Sequence, residues 1–402
     1  EAQERMTLAV PEENLAAYLE LSARRGVEST VLGRFTDSGR LRVRHGERVV
    51  ACLDLQFLHH GDPPYRLQAR FTPVRHQEPT LRVSDQGQAL AQMLARPNLR
   101  SIEGRARQYD HEVQARTVLK PFVGAEADVP SDATVLLSAY DSLQGIVLAE
   151  GICPFYSDID TYWMAASALD LAVRRLVAVG GDPDFVSALD NFCWPNVVKS
   201  QMPDRAHKLA QLVRACPGLY EHCRALAVPL ISGKDSMSND STLTDPPISV
   251  PPTLLVSVIG KVPDIRRAVS LDFKAPGDLL YVLGETRAEL GGSEFYRWYG
   301  EQERGRAYVG NAVPRVEAES ALRRYRALHQ AMREGRVRSC HTPALGGLAV
   351  ALARAAFAGR LGAELDLGKV PQGARSAGQG GAEPLSDTEL LYSESNSRFL
   401  VS

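Results

Sequence analysis

The apolar positions of this chain recur in distinct rhythms along its length, and each rhythm predicts a different kind of element. After Pro11-Glu12-Glu13-Asn14, residues Leu15, Tyr18, Leu19 and Leu21 fall near a 3.6-residue period, which predicts a helix. Residues 7–10 and 30–35 read as strands, and Asp37-Ser38-Gly39 as a turn into a strand at 41–43. From 61 to 78 the pattern lapses into a polar, Pro-bearing linker, and 90–99 and 101–109 follow as short helices.

From about 109 the rhythm becomes that of an α/β unit. Residues 135–139, 145–149, 185–189 and 253–260 are apolar strand-like runs. Residues 161–179 form a long Ala- and Leu-rich helix closed by Gly180-Gly181, and 204–216 and 220–227 read as two more helices. The strand at 185–189 ends at Asp190-Asn191. The last part opens on a strand at 279–284. It continues through a Gly-Gly-Ser turn at 291–293, a helix over 314–333, Gly346-Gly347 into a helix at 348–357, and a Gly-rich loop at 371–381. The first residues run at once into a strand, with no Met at position 1. The last, Arg398 to Ser402, lie inside another, as expected of a piece of a longer polypeptide.

Composition narrows the function classes. A length of 402 residues predicts two or three domains. With 44% apolar and 23% charged residues the chain is globular, and a net charge of -2 gives no field for nucleic acid or an anionic membrane. No apolar run reaches the length of a membrane span. Cys52, Cys153, Cys193, Cys216, Cys223 and Cys340 are scattered singly, without C-x-x-C or zinc spacing. They are expected as buried thiols in a reducing, cytoplasmic setting.

The densest chemistry lies at Ile231-Ser232-Gly233-Lys234-Asp235-Ser236-Met237-Ser238-Asn239-Asp240, after the apolar run 225–230. The pattern predicts a buried strand ending in a flexible charged turn. Its glycine, ammonium and hydroxyls suit a phosphate group, although G-x-x-x-x-G-K-[ST] is absent.

Six ordered motifs carry a family resemblance: Glu1-Ala2-Gln3-Glu4-Arg5-Met6, Tyr109-Asp110-His111-Glu112-Val113-Gln114, Leu189-Asp190-Asn191-Phe192-Cys193-Trp194, Ser232-Gly233-Lys234-Asp235-Ser236-Met237, 346–353 (GGLAVALA) and 393–399 (SESNSRF). Together they resemble the phosphoribosylformylglycinamidine synthase family. The resemblance implies an α/β (α+β) fold of paired ATP-binding-type and companion domains, as in the aminoimidazole ribonucleotide synthetase-like superfamily. Residues 1–60 would be the C-terminal part of a first companion domain and 61–108 a linker with short helices. Residues 109–270 would be a second ATP-binding-type domain and 271–402 a second, truncated companion domain. The implied reaction is the ATP-dependent conversion of formylglycinamide ribonucleotide to the amidine with glutamine-derived ammonia, through an iminophosphate. The implied partners are a first synthetase half, with the family's catalytic His, and a glutaminase domain or subunit. No catalytic residue is expected in this chain.

The same resemblance gives roles to single residues. Glu1, Gln3 and Ser236 would contact substrate, with Ala2 in place of a usual Ser. Asp190, Gly233 and Lys234 would contact ATP or ADP. Lys234 stands where short-form relatives carry a metal-binding Asn, and reads either as a substitute for the metal's charge or as an ion-pair partner. His341-Thr342-Pro343-Ala344-Leu345-Gly346-Gly347 departs from the family's H-D-x-S-[DE]-G-G, and Leu171 and Arg175 replace an acid and an amide. Mg2+ is therefore doubtful in this half although expected for the whole enzyme, and His111 and His341 are expected to be structural. Two other readings remain at this point. One is a non-catalytic nucleotide-binding or scaffold subunit pairing with a separate catalytic chain. The other is a superfamily kinase, which should carry a Gly- and Asp-rich N-terminal metal segment that this chain does not show.

Overall fold

The structure is a computed structural model that describes residues 4–110, 112–198, 204–241, 243–245, 247–374 and 384–402. The chain divides into two compact units, Glu1–Arg66 and Leu67–Ser402.

In the first unit, helix α1 (Leu15–Arg24) is followed by a hairpin of β1 (Arg40–His45) and β2 (Arg48–Asp54) and by helix α2 (Leu55–His60). Asp54 caps α2 by accepting from the N–H groups of Gln56 and Phe57. The strands expected at 7–10 and 30–35 do not form. A strand needs a hydrogen-bonding neighbour, and the only ladder among the described residues of this unit pairs β1 with β2. Among its described residues only Ser22 is buried, while Met6, Leu32 and Phe35 are each about nine-tenths exposed. The described residues of this unit form no core of their own.

The second unit begins with α3 (Gln86–Leu94) and the single turn α4 (Glu103–Ala106). Its main sheet comprises β3 (Thr117–Leu119), β6 (Thr134–Leu137), β7 (Gly145–Ile152), β12 (Thr253–Val262), β8 (Val186–Cys193) and β9 (Leu230–Ser236), in that spatial order. All neighbours are antiparallel except β8 and β9. Short pairs β4 (Phe122–Val123) with β5 (Val129–Pro130), and β10 (Asp240–Ser241) with β11 (Ile248–Ser249), flank it.

Helices α5 (Thr161–Ala178) and α6 (Arg205–Leu226) cover one face. Strand alternation puts Val147, Ala149, Val256, Val258 and Ala188 under them, all buried. Glycine permits the close approach, since a β-carbon on Gly151 would overlap the Ala168 carbonyl oxygen of α5. Leu148, Ile152, Leu189 and Ile259 alternate onto the opposite face and are exposed. Two helices were expected where α6 is one. Pro217 lies inside it, and Gly218 packs against the Tyr162 backbone of α5.

The C-terminal part carries a small sheet, β13 (Tyr281–Leu283), β15 (Phe399–Val401) and β14 (Cys340–His341), in that order. Around it lie α7 (Glu294–Arg304), α8 (Ala318–Arg333), α9 (Gly347–Gly359) and α10 (Asp387–Tyr392). Residues of α8, α9 and β15 join those of α5 and the main sheet in one core, while Phe295, Tyr296, Tyr299, Val350 and Tyr392 pack in a second cluster with Ala89 and Met93 of α3. The Gly-rich loop expected at 371–381 lies outside the described residues from 375 onward. No described helix is long and apolar enough to cross a membrane. All six cysteines are free; Cys153, Cys223 and Cys340 are buried as expected, but Cys52 and Cys216 are exposed.

Candidate functional site: the β8–β9 edge and the buried polar core

The motif expected to be a turn is itself strand β9, at the edge of the sheet. Helix α6 takes Ala225 and Leu226 from the apolar run that precedes it, and Ala227 ends the helix in the left-handed region. Likewise β8 does not stop at Asp190 but continues to Cys193 through pairing of Phe192 with Leu254. The parallel register sets Asp190 against Gly233, Asn191 against Lys234 and Cys193 against Ser236.

Alternation then sorts the expected site residues onto two faces. Asp190 and Gly233 share the helix-covered face with Val256, whereas Lys234 and Ser236 share the open face with Asn191 and Leu255. Asp190 packs so closely on Gly233 that a β-carbon there would fall on its Oδ1. Burial and the nearby Asp235 carboxylate raise the pKa of Asp190, against its own backbone N–H. Lys234 is exposed and has no ion pair among the described residues, so the ion-pair reading is not supported. The two strands are tied together beyond the ladder. Trp194, fully buried, donates its backbone N–H to Ser236 O (2.8 Å), and Asn239 Nδ2 donates to the same oxygen (2.7 Å). Glu1 and Gln3 lie outside the described residues, as does His111.

The motif at 393–399 forms a second constellation, buried throughout. Glu394 Oε1 accepts from the N–H groups of Glu294 (3.0 Å) and Gly346 (2.8 Å), at the starts of α7 and α9, and Tyr156 Oη donates to Oε2 (2.8 Å). Burial pushes the Glu394 carboxyl up to about 7, although these three donors pull the other way. Ser397 donates from N (3.1 Å) and Oγ (2.7 Å) to the Asp170 carboxylate on α5, which Tyr325 Oη also reaches and which pairs with Arg174 at 3.2 Å. Arg398 donates to Ser393 O, Ser395 O and Thr286 Oγ1. This motif is the joint that locks α5 to the C-terminal helices. Sequence reasoning quoted it but gave its residues no role.

The third constellation surrounds Asp132. His341 Nδ1 lies 2.7 Å from Asp132 Oδ2, and Thr342 donates to Oδ1 from both N and Oγ1. Burial opposes the charge on Asp132, but His341, Thr342 and Arg175 outweigh it and hold its pKa below the usual value. His341 thus has a structural partner. The residues on α5 do not fit a divalent ion: Leu171 is apolar and buried, and Arg175 donates Nη1 to Glu150 O (2.9 Å). Among the described residues no three His, Cys, Asp or Glu side chains could hold a metal.

Family models identify the architecture. Residues 130–262 match the N-terminal domain of AIR synthase related proteins and residues 275–402 match their C-terminal domain. The chain belongs to the AIR synthase-related family. Within that family it is homologous to phosphoribosylformylglycinamidine synthase subunit PurL: it is 33% identical to that of Thermococcus sibiricus and 34% to that of Ignicoccus hospitalis. The matches cover 100% of this chain but only 51% and 52% of those relatives, so the chain spans about half their length. Among solved structures, PurLQS from Thermotoga maritima superposes with a TM-score of 0.52 at 18% identity, over 97% of this chain and 50% of that one. T. maritima PurL complexed with FGAR gives 0.51 at 16% identity, over 70% and 40%. These two likenesses show the fold.

Proposed function

We propose that this chain is the second half of the synthetase region of a phosphoribosylformylglycinamidine synthase in purine biosynthesis. The observation that carries the reading is homology over the whole chain to half of the PurL subunits, with Asp190 and Gly233 on one face of the β8–β9 edge and Lys234 and Ser236 on the other. The reaction takes formylglycinamide ribonucleotide, ATP and ammonia to formylglycinamidine ribonucleotide, ADP and phosphate. ATP supplies the phosphoryl group that turns the amide oxygen into a leaving group, and ammonia displaces it as phosphate.

In this reading Ser236 donates to the substrate from the open face, together with Glu1 and Gln3. Lys234, an exposed ammonium on that face, stands in for metal charge against a phosphate. Asp190 accepts from the nucleotide beside Gly233. Such chemistry is served by positioned donors and a shielded site more than by a protein nucleophile. The exposed apolar face at Leu148, Ile152, Leu189 and Ile259 supports pairing with a first synthetase half, which completes the active site across a pseudo-twofold interface. That half and a glutaminase domain or subunit are the proposed partners, magnesium belongs to the first half, and the setting is the cytoplasm.

The test is turnover of formylglycinamide ribonucleotide with ATP and ammonium chloride. The 402-residue chain alone is expected to be inactive, and a complex with the first half active. In that complex, Ser236→Ala is expected to raise KM for the ribonucleotide and Asp190→Ala that for ATP. Turnover by the chain alone, or an active complex indifferent to both changes, would sink the reading.

A further inference from the structure

Three segments of the C-terminal part meet around one cavity of about 80 Å3: residues 285–289 after β13, residues 315–324 at the start of α8, and residues 395–397 before β15. Hydrogen bonds fix these segments to one another. Arg315 donates its backbone N–H to Glu289 Oε1 (3.1 Å), Arg287 donates its own to Ser395 Oγ (3.0 Å), and Arg324 Nη1 donates to Ser397 O (2.8 Å). The Arg287 side chain pairs with Glu317 (2.7 Å) and with Glu285 (3.2 Å).

The groups left over around this cavity are donors. The Arg315 guanidinium has no hydrogen bond or ion pair among the described residues, and its one ring contact is Trp163 at 5.5 Å. Arg324 keeps Nε and Nη2, and Ser320, four residues before it on the same face of α8, keeps its hydroxyl. The exposed acids that line the cavity, Glu285 and Glu317, are already bonded to Arg287. The third acid, Glu289, is 1% exposed, and its Oε2 has no partner among the described residues. Burial raises the pKa of Glu289 against the pull of Ser395 and the Arg315 N–H. Since Oε1 accepts from Arg315, the proton of the neutral acid belongs on Oε2, which makes that atom a donor as well.

The cavity also lies at the N-terminal end of α8, a 16-residue helix whose N-cap, Glu317, makes no side-chain bond to the first-turn N–H groups. Such an end favours negative charge. Guanidinium forks beside hydroxyl and helix-end donors match a tetrahedral oxyanion. The volume suits one such group and is far below the roughly 300 Å3 and more of a site for a whole drug-sized ligand. We infer that this cavity binds a single phosphate-sized oxyanion, either free or as the terminal group of a sugar phosphate, held by Arg315, Arg324 and the start of α8. The inference does not depend on the ligase reading, whose residues lie on β8 and β9.

The experiment is calorimetric titration of sodium phosphate, and separately of ribose 5-phosphate, into the 402-residue chain in phosphate-free buffer, with thermal unfolding followed in parallel. Saturable binding and a raised Tm are expected. Arg315 is exposed, so Arg315→Gln should fold as the parent does, and its affinity should fall about tenfold with the loss of one charge-assisted contact. Glu289→Gln keeps the acceptor for the Arg315 N–H and puts an amide donor in place of the carboxyl proton, so it should bind as tightly as the parent. Lys234→Ala should bind the anion unchanged. Tighter binding of ribose 5-phosphate than of phosphate assigns the site to a sugar phosphate, and equal or weaker binding assigns it to the free anion. Absence of saturable binding, an Arg315→Gln affinity equal to the parent's, or loss of binding in Lys234→Ala overturns the inference. So does loss of binding in Glu289→Gln at unchanged Tm; if that variant is unstable, Arg315→Gln decides.

Discussion

Oδ1 of Asp190 occupies the space that a β-carbon on Gly233 would need. The two residues lie side by side on parallel strands, and glycine is what allows the carboxylate to lie over the neighbouring strand. Asp190 is only partly buried, so its side chain can turn away at small cost. Gly233→Ala is therefore expected to cost only about 1 kcal/mol of stability. Nucleotide affinity should fall about tenfold, measured by calorimetry in the complex with the first half. A large loss of Tm with unchanged affinity would show that the glycine serves the fold and not the site.

Glu394 joins the starts of α7 and α9 and does so as a fully buried acid. Its carboxyl titrates near 4.5 when unfolded and is pushed up to about 7 by burial. Between those values the folded state holds a proton that the unfolded state has lost, so this residue's contribution to stability falls as pH rises from about 4.5 to about 7 and is level above that. The shift corresponds to about 3 kcal/mol. Glu394→Gln keeps the shape and cannot ionise, so its stability relative to the parent should rise by that order across the same window. Parallel curves from pH 4.5 to 8 in urea unfolding would show that Glu394 stays ionised.

Asp170 collects Tyr325, Ser397 and Arg174 in a site closed to solvent. Tyr325→Phe removes one donor to a carboxylate that keeps its others, and is expected to cost about 1–2 kcal/mol. Asp170→Asn leaves Arg174 buried without its counter-charge and should cost about 3–5 kcal/mol. The order of the two losses in chemical unfolding is the check. If Asp170→Asn is the milder change, the Arg174 charge is met by other groups, such as Asn396 Oδ1 at 3.4 Å and Pro343 O at 3.0 Å.

How far the chain could be read in advance depended on where each signal lay. Helix α5 declared itself because 18 residues carry an unbroken apolar period under a capping Asp160. Strand β9 did not, because nearly all its residues are exposed on an edge, so no in–out alternation marks it as a strand. Helix α7 was missed although Ser293 caps it and Phe295, Tyr296 and Tyr299 face inward. The Gly-Gly-Ser signal was read as a turn alone. Asp190 and Gly233 were legible through their motifs, and the ladder sets them together. Asp132 carried no local signal, since its partner His341 is 209 residues away and only folding brings them together.

The first unit offers a last expectation. Its hairpin and helices are well formed, yet Leu32, Phe35, Phe57 and Val50 stand in solvent and, among its described residues, a single serine is buried. A segment of this size is stable only if it buries apolar area comparable to the entropy it loses, and here almost none is buried. A peptide of residues 1–66 is therefore expected to be unfolded in isolation. Its far-ultraviolet circular dichroism should lack the α1 and hairpin signals, and it should bind a hydrophobic dye. Dispersed amide resonances from the isolated peptide would show that the hairpin's own ladder is enough to hold it.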